Sequence, residues 1–145
     1  MKFEIIFLSG FLIVLLIILY LKKPPTKYTT VKIEDTKIRA EIADTLLKRT
    51  KGLMFRKTLP ENDGMLFIFD NEDYYSFWVM SMSFPIDIIW VNKERKVVDI
   101  TKDAKPCKLN CSIYKPKEKA MYVLEVNANF TEEHGIKIGS VLELS

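Results

Sequence analysis

The stretch Pro85-Ile86-Asp87-Ile88-Ile89-Trp90-Val91-Asn92-Lys93-Glu94-Arg95-Lys96-Val97-Val98-Asp99-Ile100-Thr101 decides how this chain folds. Ile86 to Val91 and Lys96 to Thr101 are runs of strand length, rich in β-branched residues. The polar tetrad Asn92 to Arg95 joins them, so the pair reads as a β-hairpin. Pro85 cannot donate to a central ladder and marks a strand edge or bend.

On the N-terminal side, Tyr74 to Met80 predicts an aromatic strand, and Asn71 to Asp73 a turn before it. Met65 to Phe69 predicts a short apolar strand after the turn signal Glu61-Asn62-Asp63-Gly64. Leu53 to Pro60 is irregular. Thr45 to Lys51 can form a short helix, with Asp44 as N-cap and Gly52 in a left-handed terminating position. Lys37 to Ile42 and Val31 to Ile33 read as strands around an Asp35-Thr36 turn.

On the C-terminal side, Asp103 to Lys119 is a long polar loop. Met121 to Val126 is a strand with apolar alternation at Met121 and Val123, a pattern whose next position is Glu125. Asn129 is placed to cap one helical turn, Phe130 to His134, ended by Gly135. Ile136 to Ile138 and Val141 to Leu144 are short strands around Gly139-Ser140. About eight strands and one or two short helices point to a mainly β (α+β) fold, a small antiparallel or mixed β-barrel or sandwich. A doubly wound sheet is disfavoured, because too few helices exist to cover its faces.

Ahead of this domain, residues 5–21 form an uncharged run of 17 residues, 14 of them Leu, Ile, Val or Phe. As a helix it would span roughly 25 Å, at the short end of what crosses a bilayer. The run exceeds the apolar core of a signal peptide and ends in Tyr20-Leu21-Lys22-Lys23-Pro24-Pro25, without a small-residue cleavage site. The expectation is a single N-terminal transmembrane helix (residues 1–23) embedded in the lipid bilayer. A stiff Pro-bearing linker (24–30) and the β-rich domain (31–145) follow it. Lys22, Lys23 and Lys27 argue for a cytoplasmic domain. Cys107, Cys111 and the Asn-x-Ser/Thr triplets at Asn110 and Asn129 argue for an extracytoplasmic one, which is the reading taken.

Setting aside Lys2, Lys22, Lys23, Lys27 and Glu4 leaves 18 basic and 18 acidic residues between Tyr28 and Ser145. A balanced domain lacks the cationic surplus that phosphate neutralisation needs, so no nucleic-acid partner is expected. His134 is the single histidine. It sits at a helix end, where a cation complements the dipole. No serine elbow, zinc-protease helix or phosphate loop is present. Cys107 and Cys111 with one histidine fall short of a tetrahedral zinc set, so neither a metal nor a cofactor is expected. An outside domain favours a Cys107–Cys111 disulfide, and an inside one two reduced thiols. Phe77, Trp78, Phe84 and Trp90 read as core, unless one of the tryptophans lines a groove. Asp87 interrupts an apolar stretch. It is either partly buried, bonded to Arg56 or to backbone amides, or solvent-facing on an edge strand.

Several segments in register resemble the domain of unknown function 192 family. They are Ala40 to Thr45, Lys51 to Arg56, Leu59-Pro60, Gly64 to Phe67, Ser76 to Trp78 and Pro85 to Trp90. Ala104 to Cys107, Cys111, Tyr122 to Asn127 and His134 to Gly139 follow in the same order. The resemblance spans about residues 30–145. It implies a compact β-rich domain with no established reaction, and it singles out Arg56, Asp87, Cys107, Cys111 and Asn127. Where the family commonly reads Phe-Trp-Met-Lys-Asn, this chain has Phe77-Trp78-Val79-Met80-Ser81, so the lysine becomes Met80 and the amide Ser81.

The functional expectation is a membrane-anchored binding or interaction module. It would hold a small molecule, glycan or protein in a groove near Arg56, Trp78, Asp87 and Asn127. The alternatives are a hydrolase-like enzyme using carboxylates such as Asp87, and a structural accessory subunit of a membrane complex.

Overall fold

The computed structural model describes residues 25–145. The expected anchor, residues 1–23, lies outside them. Among the described residues no helix is long and apolar enough to cross a membrane.

Seven strands and two short helices make up the described chain. In order they are β1 (Tyr28–Ile33), β2 (Thr36–Ala43), α1 (Leu46–Lys51), β3 (Asp63–Asp73), β4 (Ile86–Val91), β5 (Val97–Ala104), β6 (Ala120–Asn127), α2 (Phe130–Glu133) and β7 (Leu142–Leu144). They form one mixed sheet, ordered β5-β4-β6-β3-β2-β1-β7. Only β2 and β3 run parallel. A parallel pair needs a long crossover, and α1 with the following loop supplies it. The two edges of the sheet meet where Lys96 bridges Val141. There the Val97 amide donates to the Ser140 carbonyl (2.9 Å) and the Leu142 amide to the Arg95 carbonyl (2.8 Å). The sheet is therefore a partly closed barrel.

All six positions of β4 are buried, because both faces of this central strand are covered. Side chains alternate across a strand, and β4 shows it. Ile89 and Val91 point inward, with Val31, Ile33, Ile38, Leu66, Val97, Leu124 and Leu142, a core drawn from all seven strands. Ile86, Ile88 and Trp90 point outward, with Met65, Phe67 and Val123, under a lid of Leu53, Leu59, Val79 and Met82. That outer layer, between sheet and lid, positions the site described below.

Tyr74 to Met80 does not add a strand to the sheet. It crosses the outer face and pairs only through isolated bridges, Phe77 with Tyr114 and Met80 with Cys107. Phe77 and the buried Val79 pack against the outer face of the sheet, while Tyr74 and Trp78 stay exposed. The expected turn at Asn71 to Asp73 lies within β3, where the register with β6 shifts between Ile68 and Asp73. Ile136 to Ile138 is not a strand: the Ile136 amide closes a turn onto the Thr131 carbonyl (2.8 Å), and just beyond the segment the Gly139 amide donates to the Val97 carbonyl of β5 (2.8 Å). Thr45, not Asp44, caps α1, its hydroxyl accepting from the Lys48 amide. Gly52 does end that helix at positive φ (48°), but with an extended ψ (−136°) in place of the left-handed one. Asn129 precedes α2 in a left-handed conformation, with no side-chain cap. Gly64 belongs to β3, where a Cβ would lie 2.8 Å from the Glu125 carbonyl oxygen, so the close approach of β3 to β6 requires glycine.

Candidate functional site

A cleft of about 290 Å³ opens between α1 and the segment Tyr75–Met82, above the outer face of the sheet. Phe69, Tyr75, Phe77 and Trp78 line it together with Met54, Met80 and Met82, and Leu46, Arg49 and Lys51 contribute from α1. Packing holds the aromatic wall in place. Phe69 stacks on Tyr75 at 3.5 Å, and Phe77 meets Phe67 and Trp90 edge-on at 4.8 and 6.3 Å. The Trp90 indole donates to the Tyr75 carbonyl (3.0 Å), fixing the backbone of the crossing segment. Trp78 is 46% exposed. Arg49 secures the other side by donating to the carbonyls of Asp44 (3.1 Å) and Ile68 (2.7 Å). Its guanidinium lies 5.0 Å from the Phe69 ring centre.

Glu125 is the acidic residue of the lining. It sits on β6 in register with Met65 of β3 and Ile88 of β4, so its side chain enters the apolar outer layer. It is 3% exposed. Its Oε2 has no hydrogen-bond partner among the described residues. Burial pushes its pKa up to about 8 against the opposing pull of Arg56, because desolvation disfavours the charged form. The cleft therefore has π-faces and thioethers for walls and one carboxyl without a counter-charge in contact.

Arg56 and Asp87 do not meet. Arg56 forms an ion pair with Glu41. Glu41 is in register with Met65 of the outer layer, whereas Asp87 is in register with Val126 of the inner core. The sheet separates the two groups. Asp87 is neither solvent-facing nor at an edge, being fully buried. Its Oδ1 accepts from the amides of Asp103 (2.9 Å) and Asn129 (3.3 Å). Its Oδ2 accepts from the amide (3.0 Å) and hydroxyl (2.6 Å) of Thr131. Two of these amides belong to residues at positive φ, Asp103 (54°) and Asn129 (70°). The backbone amides were the right half of the Asp87 expectation, and Arg56 the wrong half.

Asn127 also stands off the cleft, its Nδ2 donating to the carbonyls of Leu59 (3.0 Å) and Pro60 (3.1 Å) to hold the crossover loop. Cys107 and Cys111 form a disulfide. The Cys107 amide donates to the Val79 carbonyl (2.9 Å), and the Ser81 amide to the Cys107 carbonyl (2.8 Å), so the stapled loop braces the wall. Ser81 stands at positive φ (54°), a conformation asparagine tolerates better than most residues. The groove expected near Arg56, Trp78, Asp87 and Asn127 thus keeps Trp78 alone in its lining. Glu125 went unnoticed as a site residue. Its signal was a carboxylate at the position that continues the apolar Met121-Val123 alternation.

Residues 29–144 match the family DUF192, described as uncharacterized ACR, COG1430. The chain belongs to the DUF192 family. Among relatives of this DUF192 protein, UPF0127 protein TK1120 of Thermococcus kodakarensis is 36% identical over 92 residues, covering 60% of the chain and 52% of TK1120. The chain thus spans about half of that relative's length. UPF0127 protein PF1050 of Pyrococcus furiosus is 32% identical over 112 residues, covering 76% of the chain and 90% of PF1050. The crystal structure of a protein of unknown function from Novosphingobium aromaticivorans superposes with a TM-score of 0.78 at 29% identity, covering 84% of this chain and 89% of that one.

Proposed function

We propose that this DUF192 protein is a membrane-tethered binding module whose outer cleft takes a small, largely apolar ligand carrying one polar group. The observation that carries this reading is the Glu125 carboxyl, buried in an aromatic and methionine-lined cavity with Oε2 unpartnered among the described residues. A buried polar atom without a partner costs roughly 1–3 kcal/mol. A ligand group that pairs with it recovers that energy while its apolar part covers the half-exposed Trp78. Aromatic walls with few convergent polar groups are what small-molecule sites usually offer. Hydrolysis by a carboxylate pair finds less support, since Glu125 has no second acid beside it in the lining and Asp87 is saturated with donors on the other face. The tether rests on the apolar run of residues 5–21. The Cys107–Cys111 disulfide supports an oxidising, extracytoplasmic setting for the domain.

The test is native mass spectrometry of the full chain, purified from its host in non-ionic detergent. Wild type should release a co-purifying small molecule that Trp78→Ala fails to retain. A wild type that carries nothing, and whose tryptophan emission no metabolite fraction alters, refutes the cleft as a binding site. Carbonate washing of host membranes tests the tether separately: the chain should stay in the pellet, and its release refutes anchoring alone.

A further inference from the structure

We infer that the cleft selects a small organic cation, an ammonium with apolar substituents, and that Glu125 is its counter-charge. This rests on the reading of the cleft as a ligand site and names the chemical class of its occupant. Three features of the cleft converge on that class. Phe69, Tyr75, Phe77 and Trp78 supply π-faces, which attract cations through the ring quadrupole, most strongly where water is excluded. Glu125 supplies one carboxylate at low exposure. Leu53 and the three methionines add apolar surface that suits alkyl groups, and the polar lining residues Thr50 and Ser76 bring no second charge beside Glu125.

The charges facing Glu125 leave this role open. Its cross-strand neighbours on β3 and β4, Met65 and Ile88, are apolar. From the loop after α1, Arg56 acts on it across space, but the guanidinium is held by Glu41 of β2. From α1, Arg49 is held by two backbone carbonyls and the Phe69 face, and Lys51 is exposed. An anion entering past Arg49 and Lys51 would arrive at a carboxyl with no cation bonded to it. An ammonium arriving there completes an ion pair, and the proton that the buried acid otherwise holds is released to solvent. Solvent screens the lysine on the rim, whereas the buried carboxylate acts at short range without screening.

The probe is choline chloride, set against 3,3-dimethyl-1-butanol, its uncharged isostere, titrated calorimetrically into the full chain in non-ionic detergent. Choline does not titrate, so any pH dependence reports the protein. At pH 9 choline should bind at least tenfold more tightly than the isostere. Between pH 8 and pH 6 its affinity should fall about tenfold per unit as the proton competes for the carboxylate, while the affinity of the isostere stays flat. Glu125→Gln should abolish the pH dependence of choline binding and reduce the choline preference to what the aromatic faces alone supply. Met80→Lys, which places an ammonium on the wall of the same cavity, should abolish choline binding and so provides a second variant independent of Glu125. Equal affinity of both probes for wild type, or a choline preference undiminished in Glu125→Gln, overturns the cation assignment and leaves the cleft reading standing. Binding of neither probe overturns the cation assignment, and the cleft reading is then decided by the co-purification test alone.

Discussion

Replacing Asp87 by alanine should unfold this domain at markedly lower temperature without touching the cleft. The carboxylate accepts four hydrogen bonds inside the barrel, from the amides of Asp103, Asn129 and Thr131 and from the Thr131 hydroxyl. Those donors lie at the end of β5 and around the start of α2, so one side chain ties two distant segments to β4. Alanine leaves all four donors without an acceptor in a fully buried site. Hydrogen bonds to a charged acceptor contribute about 1.5–3 kcal/mol each, and an orphaned buried donor costs about 1–3. Water entering the gap offsets part of this, and about 4 kcal/mol is the expected net loss, in line with breaking other buried charged networks. For a domain of this size that lowers the melting temperature by roughly 15 °C. Thermal denaturation of the full chain in detergent, followed by circular dichroism, measures it. A double-mutant cycle identifies the cause. Thr131→Val should cost about 1–2 kcal/mol in wild type and almost nothing once Asp87 is gone. A loss below about 1 kcal/mol for Asp87→Ala, or a Thr131→Val cost unchanged between the two backgrounds, refutes the reasoning.

Three further outcomes follow from neighbouring features. Burial raises the Glu125 pKa from 4.5 to about 8, so the folded state keeps a proton that the unfolded chain loses. Stability should therefore fall as pH rises from about 4.5 to about 8 and level off above, and chemical denaturation of Glu125→Gln should lose that slope. Gly64→Ala would press a methyl group to 2.8 Å from the Glu125 carbonyl oxygen. It should cost about 3 kcal/mol or more or prevent folding, whereas Gly135→Ala, with open space around it, should cost only the strain of its positive φ, about 1 kcal/mol. Reducing the Cys107–Cys111 disulfide, which closes a loop of sequence separation 4, should cost about 2 kcal/mol by chain entropy. It should also speed hydrogen exchange at Cys107 and Ser81, whose amides the loop holds in place.

Local pattern made most of this barrel legible. The β4–β5 hairpin follows from two β-branched runs and a polar tetrad, and β6 and the first residues of β3 follow from short apolar runs between turn signals. These signals survive because each is a property of a few adjacent residues whose side-chain period is set by the backbone. The same logic exposes Asp87 as a residue that must be bonded. It cannot say to what, because Asp103 reaches it only through the β4–β5 register and Thr131 only through the pairing of β4 with the distant β6. Tertiary structure alone decided that Tyr74 to Met80 would lie across the sheet and not within it, since its aromatic content suits either arrangement. It alone decided that Arg56 would pair with Glu41, because one residue of strand phase puts Asp87 on the opposite face. The role of Glu125 was settled the same way. A glutamate at the end of an alternating strand is ordinary in sequence, and only the lid of Leu53, Val79 and Met82, brought from a distant part of the chain, excludes water from it and makes its charge costly.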